Sequence, residues 1–236
     1  AEGYNLKNIE NFIDRSLINL GVDIIDLVQL HCPPSEICGK KETYEMMDEI
    51  IKKGKIKYYG VSVEKVSEAL DAIKYPNVKS IQIIFNIFRQ KPSEIFFQEA
   101  KKNNVAIIAR VPLASGLLTG KMNSKSSFPE NDHRNYNING DAFDVGETFS
   151  GVNFSKGLEA VEELKKIKPE GFSLTDLSLK WILSHPEVTV VIPGAKNKVQ
   201  AEQNIKASDL NEINSVKNSI AEIYNNYFKK DIHSNW

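Results

Sequence analysis

A chain of 236 residues, 41% apolar and 26% charged, can bury a sizeable core and has the make-up of an ordinary globular protein. Lys and Arg number 30 against 31 Asp and Glu, so the net charge of −1 lacks the basic excess of a nucleic-acid binder. No apolar run is long enough for a bilayer, the N-terminus has no secretory-signal pattern, and two cysteines make no disulfide framework, so no membrane partner and a reducing cytoplasm are expected.

Leu6, Ile9, Phe12, Ile13, Leu17 and Leu20 recur at helical spacing, and Gly21 stops that helix. DIIDLVQLH (23–31) reads as a buried strand that ends abruptly on His31, with Cys32, Pro33 and Pro34 behind it. KETYEMMDEIIKK is a helix with Tyr44, Met47 and Ile51 on one face, stopped by Gly54. KIKYYGVSV is a strand, EKVSEALDAIK a helix, SIQIIFN a strand, SEIFFQEAKKN a helix and VAIIARVPL a strand. A polar loop follows over roughly 121–152, then the helices FSKGLEAVEELKKIK and SLTDLSLKWILSH. VTVVIPG is the last strand, and two helices close the chain over roughly 197–206 and 209–229. Strands alternating with helices predict parallel β/α units, here five strands in one domain over 1–236, and apolar strands predict a sheet covered by helices.

In β/α folds, ligands meet the C-terminal ends of the strands. Those ends carry His31, then Ser62 and Val63, then Gln82 and Asn86, then Arg110, Pro112 and Leu113, then Gly194, Lys196 and Asn197. A lone histidine is ordinarily a core residue tied to a backbone carbonyl, and its place at a strand end sets the functional reading beside that one. His31, Cys32 and Cys38 fit no usual zinc spacing. SGLLTGKM (115–122) fails the phosphate-loop pattern at Ser115 and Met122, although Gly116, Gly120 and Lys121 suit a ligand phosphate or a plain turn equally. NYNINGDAFDVGE (135–147) misses a calcium loop, because Gly146 stands where the acidic twelfth position belongs. NDHRN puts Arg134 in a loop over the strand ends, as an anion contact or a solvated side chain. In IPGAKNKVQAEQN (192–204), Asn197 caps a helix whose N-terminus and Lys196 favour a phosphate, and Gln200 and Asn204 share one face that suits a purine or plain solvent.

Taken together these segments closely resemble the aldo-keto reductase family. LGVDIIDLVQLHCP is similar to its fourth strand, YYGVSV to its fifth, QIIFN to its sixth, ARVPLASGLLTGK to its seventh and IPGAKNKVQAEQN to its eighth. The resemblance implies an α/β (β/α)8 TIM-type barrel binding an extended NADP(H) and passing hydride between the nicotinamide and an aldehyde or ketone carbon, or an alcohol in reverse. It places His31 on the histidine that orients the carbonyl, and Ser62 and Gln82 on carboxamide contacts. Arg110 replaces the aromatic residue that stacks on the nicotinamide, and Val63 replaces an Asn. Pro112, Leu113, Ser115 and Lys121 fall on pyrophosphate contacts. Gly194, Lys196, Gln200, Gln203 and Asn204 fall on the adenosine end, where Lys196 favours a 2′-phosphate.

The same resemblance leaves the Asp, Tyr and Lys of the catalytic group of four without counterparts, because the first three β/α units lie upstream of NIENFIDRSLINLG; Tyr4 does not match the catalytic motif. The expectation is therefore an incomplete barrel holding strands four to eight with their helices and the C-terminal helices, aggregation-prone and inert by itself. The competing reading is a non-catalytic nicotinamide-nucleotide-binding regulatory subunit resembling potassium-channel β subunits; His31 argues against it. Substrate identity and oligomeric state are not legible in the sequence.

Overall fold

In the computed structural model, which describes residues 2–236, five strands form one sheet in the order β1-β2-β3-β4-β5. They are β1 (Ile25–His31), β2 (Ile56–Val63), β3 (Val78–Ile84), β4 (Ala106–Arg110) and β5 (Val188–Val191). Sheet order follows chain order, and β1–β2 and β2–β3 pair in parallel, as the expected α/β class requires. The expected strands begin or end one to three residues beyond the observed ones; β4, for example, stops at Arg110 because Val111 turns to φ 51°. Contacts divide the chain into two compact units, residues 1–83 with 95–107 and residues 84–94 with 108–236.

In the first unit, α1 (Leu6–Leu20) starts where the Asn5 side chain accepts the Asn8 amide at 3.0 Å and ends at Gly21 with φ 64°. It buries Ile9 and Ile13, while Phe12, Ile18 and Leu20 stay exposed. A short helix α2 (Ser35–Cys38) follows Pro34 and was not expected from the sequence. Helix α3 (Lys41–Lys52) buries Tyr44, Met47 and Ile50; Ile50 rather than Ile51 completes the face, because 43, 46, 47 and 50 keep the helical spacing. The Tyr44 hydroxyl donates to the Cys38 carbonyl at 2.6 Å and its ring stacks on Tyr75. Helices α4 (Val66–Ala72) and α5 (Phe96–Lys102) complete the β/α alternation.

In the second unit, the segment expected as a polar loop contains the short helix α6 (His133–Tyr136) and single turns at Val145–Glu147 and Phe149–Gly151. Helix α7 (Phe154–Ile167) is capped by Asn153, and α8 (Leu174–Leu183) by a Ser173–Asp176 capping box. Helix α9 (Lys198–Lys206) begins at the expected cap, Asn197. The single helix expected over 209–229 is instead broken. Helix α10 (Lys217–Tyr224) starts late, a π-helical turn over Asn225–Lys229 widens it, and α11 (Lys230–Ile232) follows. Ahead of α10, Ile213 is buried and Asn214–Val216 form only a 3-10 turn.

Candidate active site

The C-terminal strand ends of the first unit carry a polar layer. His31, Ser62 and Gln82 lie side by side in the register of β1, β2 and β3. His31 is exposed as the last residue of its strand, Ser62 is buried and Gln82 is half-buried. Behind His31 the backbone of Cys32 takes φ 42°, its amide donates to the Ser62 carbonyl at 3.0 Å, and its thiol lies 3.4 Å from the Ser62 hydroxyl. The two prolines then carry the chain away from the sheet.

One layer deeper the register runs Gln29, Gly60, Ser80. A Cβ on Gly60 would collide with the Ser80 hydroxyl. Without one, Gln29 reaches past β2, donates to the Ser80 hydroxyl at 3.0 Å and accepts from Gln82 Nε2 at 2.6 Å. The carboxamide side chain of Gln82 is thus held by Gln29, a partner the sequence reading missed. The available signal was Gln29 itself, two residues before His31 and so on the same strand face. Cys38 is a core residue. Its thiol donates to the Pro33 carbonyl at 3.8 Å, and burial pushes its pKa up to about 12.

In the second unit, the end of β4 is held by a loop on its far side in sequence. Buried Arg110 forms an ion pair with Glu147. The Ser115 hydroxyl donates to the Glu147 carbonyl at 3.0 Å and accepts from the Phe149 amide at 2.9 Å. Asn86, fully buried, donates to the Val111 carbonyl at 2.8 Å and to the Ser150 hydroxyl at 2.7 Å. Val111, Ala114, Ser115, Phe149 and Ser150 all take positive φ without being glycine. Such a concentration of costly backbone is typical of segments whose shape serves a ligand. Pro112 is buried, Leu113 half-buried and Lys121 exposed along this turn.

Arg134 is committed to Asp132, donating at 2.9 and 2.6 Å, and its guanidinium lies over the Phe128 ring. The pair holds the Asp132 carboxyl well below the usual range. At the other strand end, Asn197 accepts the Gln200 amide at 3.0 Å, Gln200 accepts the Lys196 amide at 2.7 Å, and Asn204 donates to the Gly194 carbonyl at 3.2 Å. Gly194, Lys196, Gln200 and Asn204 are therefore brought together, with Lys196 and Gln203 exposed. A Cβ on Gly194 would meet nothing within 4 Å, so the backbone there is open to a ligand. A nine-residue helix N-terminus beside Lys196 and Lys198 fits a phosphate group.

The family model described as Aldo/keto reductase family matches residues 1–225. The chain belongs to the aldo/keto reductase family. Aldo-keto reductase YhdN of Bacillus subtilis is 30% identical over 229 residues, which cover 92% of this chain and 66% of that one. Aldo-keto reductase yakc of Schizosaccharomyces pombe, whose name specifies NADP(+), is 29% identical over 208 residues, 84% of this aldo/keto reductase chain and 57% of its relative. Among solved structures, the glycerol dehydrogenase AKR11B4 from Gluconobacter oxydans matches with a TM-score of 0.75 at 27% identity, over 95% of this chain and 65% of that one. The chain thus spans between 57% and 66% of the lengths of these three proteins.

Proposed function

We propose that this aldo/keto reductase chain serves NADP(H)-dependent interconversion of an aldehyde or ketone and its alcohol. When bound, NADP(H) supplies or accepts the hydride. In the second unit, Lys196 and the N-terminus of α9 take the 2′-phosphate, while Gln200, Gln203 and Asn204 face the adenine. Lys121 and the strained turn at Pro112, Leu113 and Ser115 take the pyrophosphate. Arg134 keeps its pairing with Asp132 while presenting its remaining donors to an anion. In the first unit, Ser62 and Gln82 hold the carboxamide and His31 orients the carbonyl oxygen. The observation that carries this reading is the cluster Gly194–Lys196–Gln200–Asn204 at a helix N-terminus, within a chain whose family match is continuous over 1–225.

The reading is tested by titrating NADPH and NADH into the chain and following nicotinamide fluorescence. NADPH is expected to saturate and to bind more tightly than NADH, and K196E is expected to erase that preference. Equal binding of both nucleotides by wild type would sink the assignment of Lys196. The residues proposed here include no proton donor to the carbonyl oxygen, so the isolated chain is expected to consume no NADPH with any aldehyde. Turnover at 340 nm above the no-protein blank would show otherwise.

A further inference from the structure

The loop that holds Arg110 and Ser115 is itself held from the end of the chain. Trp236 is buried at 6% exposure. Its indole N–H donates to Asp144, 3.2 Å from Oδ1 and 3.4 Å from Oδ2. The same Oδ1 accepts the Gly146 amide at 2.7 Å, so one carboxylate ties the indole to the loop backbone. The guanidinium of Arg89 lies 4.0 Å above the indole ring. Gly146 and Gly151 complete the socket: a Cβ on Gly151 would overlap the ring, and one on Gly146 would come within 3.2 Å of it. The residue after Gly146 is Glu147, which pairs with Arg110 through its carboxylate and receives Ser115 through its carbonyl. The segment leading to Trp236 is anchored as well, with His233 meeting Tyr224 at 2.8 Å and Glu94 at 3.2 Å.

We infer that Trp236 is a positioning residue: seated in the socket of Asp144, Gly146, Gly151 and Arg89, its indole fixes the 144–151 loop so that Glu147 holds Arg110 and Ser115 in the conformation that receives the nicotinamide nucleotide. This rests on the nucleotide reading proposed above. The indole touches no reacting atom; it acts through the loop.

The chain has two tryptophans, Trp181 and Trp236, which makes the inference readable by emission. NADP+ is the probe, because it does not absorb where indole emits. Wild type is expected to change emission on saturation with NADP+, and W236F, whose only indole is Trp181, to bind without that change. W236A is expected to weaken NADP+ binding about tenfold, and W236F to restore most of it by refilling the socket. Equal affinity for NADP+ in W236A and wild type would overturn the inference, as would an emission response undiminished in W236F. Should W236A fail to fold, the W236F emission decides alone. Wild type that binds neither NADP+ nor NADPH would remove the nucleotide reading itself, a result distinguishable from binding that ignores Trp236.

Discussion

Arg110 carries its positive charge at 6% exposure. Glu147 pairs with it as an opposite charge, and removing one partner of a buried pair costs far more than the pair contributes. E147A is therefore expected to lower unfolding stability by about 3 kcal/mol in urea titrations, and the double change R110M/E147L to recover much of that loss. An E147A chain as stable as wild type would show that Arg110 is neutralised elsewhere. Neither Glu147 nor Gln29 was singled out in the sequence. Each works through a partner distant in the chain, 37 and 53 residues away respectively, and no local spacing announces such a pair. His31, Ser62 and Gln82 were legible because each ends or nearly ends an apolar run, a position that strand topology alone makes informative. Arg134 is legible in the sequence as a loop cation, while its pairing with Asp132, two residues earlier, is visible only in the fold.

At the scale of elements, the corner joining α8 to β5 has a pH dependence built into it. His185 packs edge-on against Phe85 and Trp181, and its Nδ1 faces the Trp181 carbonyl at 2.9 Å. Burial lowers its pKa below the ordinary 6.5. The folded state thus binds a proton less readily than the unfolded chain, so this contribution is complete above 6.5 and is lost as pH falls through the depressed value. The urea midpoint is expected to drop between about pH 7.5 and about pH 5.5 in wild type and to drop less in H185Q. A midpoint that rises on acidification would contradict the sign. The cap of α9 gives a second expectation: N197A should cost about 1 kcal/mol, because the Gln200 amide loses its acceptor. Elements with a side-chain cap, such as α1 and α9, were readable to within about a residue. The helix expected over 209–229 was not, since Leu210, Ile213, Val216, Ile220 and Ile223 keep near-helical spacing straight through the break.

On the whole-molecule scale, apolar side chains lie open at both ends of the sheet order. In the first unit Phe12, Ile18 and Leu20 are 55%, 79% and 63% exposed on α1, and Leu27 in the edge strand β1 is 39% exposed. In the second unit Val190 and Ile192, in and beside the edge strand β5, are 41% and 44% exposed. Exposed apolar edges invite association. Light scattering is expected to show mass rising with concentration, and the double change I18E/L20E to reduce it; a concentration-independent monomer would contradict this. The α/β class and its five strands were legible because short apolar β runs alternate with helical spacing along nearly the whole chain. The central claim is that the phosphates of NADP(H) bind at α9 and the turn after β4. Phosphorus NMR of NADP+ titrated with the chain tests it most directly. The account predicts that the 2′-phosphate and pyrophosphate resonances both shift, and that K196A abolishes the 2′-phosphate shift while sparing the pyrophosphate. Resonances unmoved at saturating protein, or a 2′-phosphate shift intact in K196A, would contradict it.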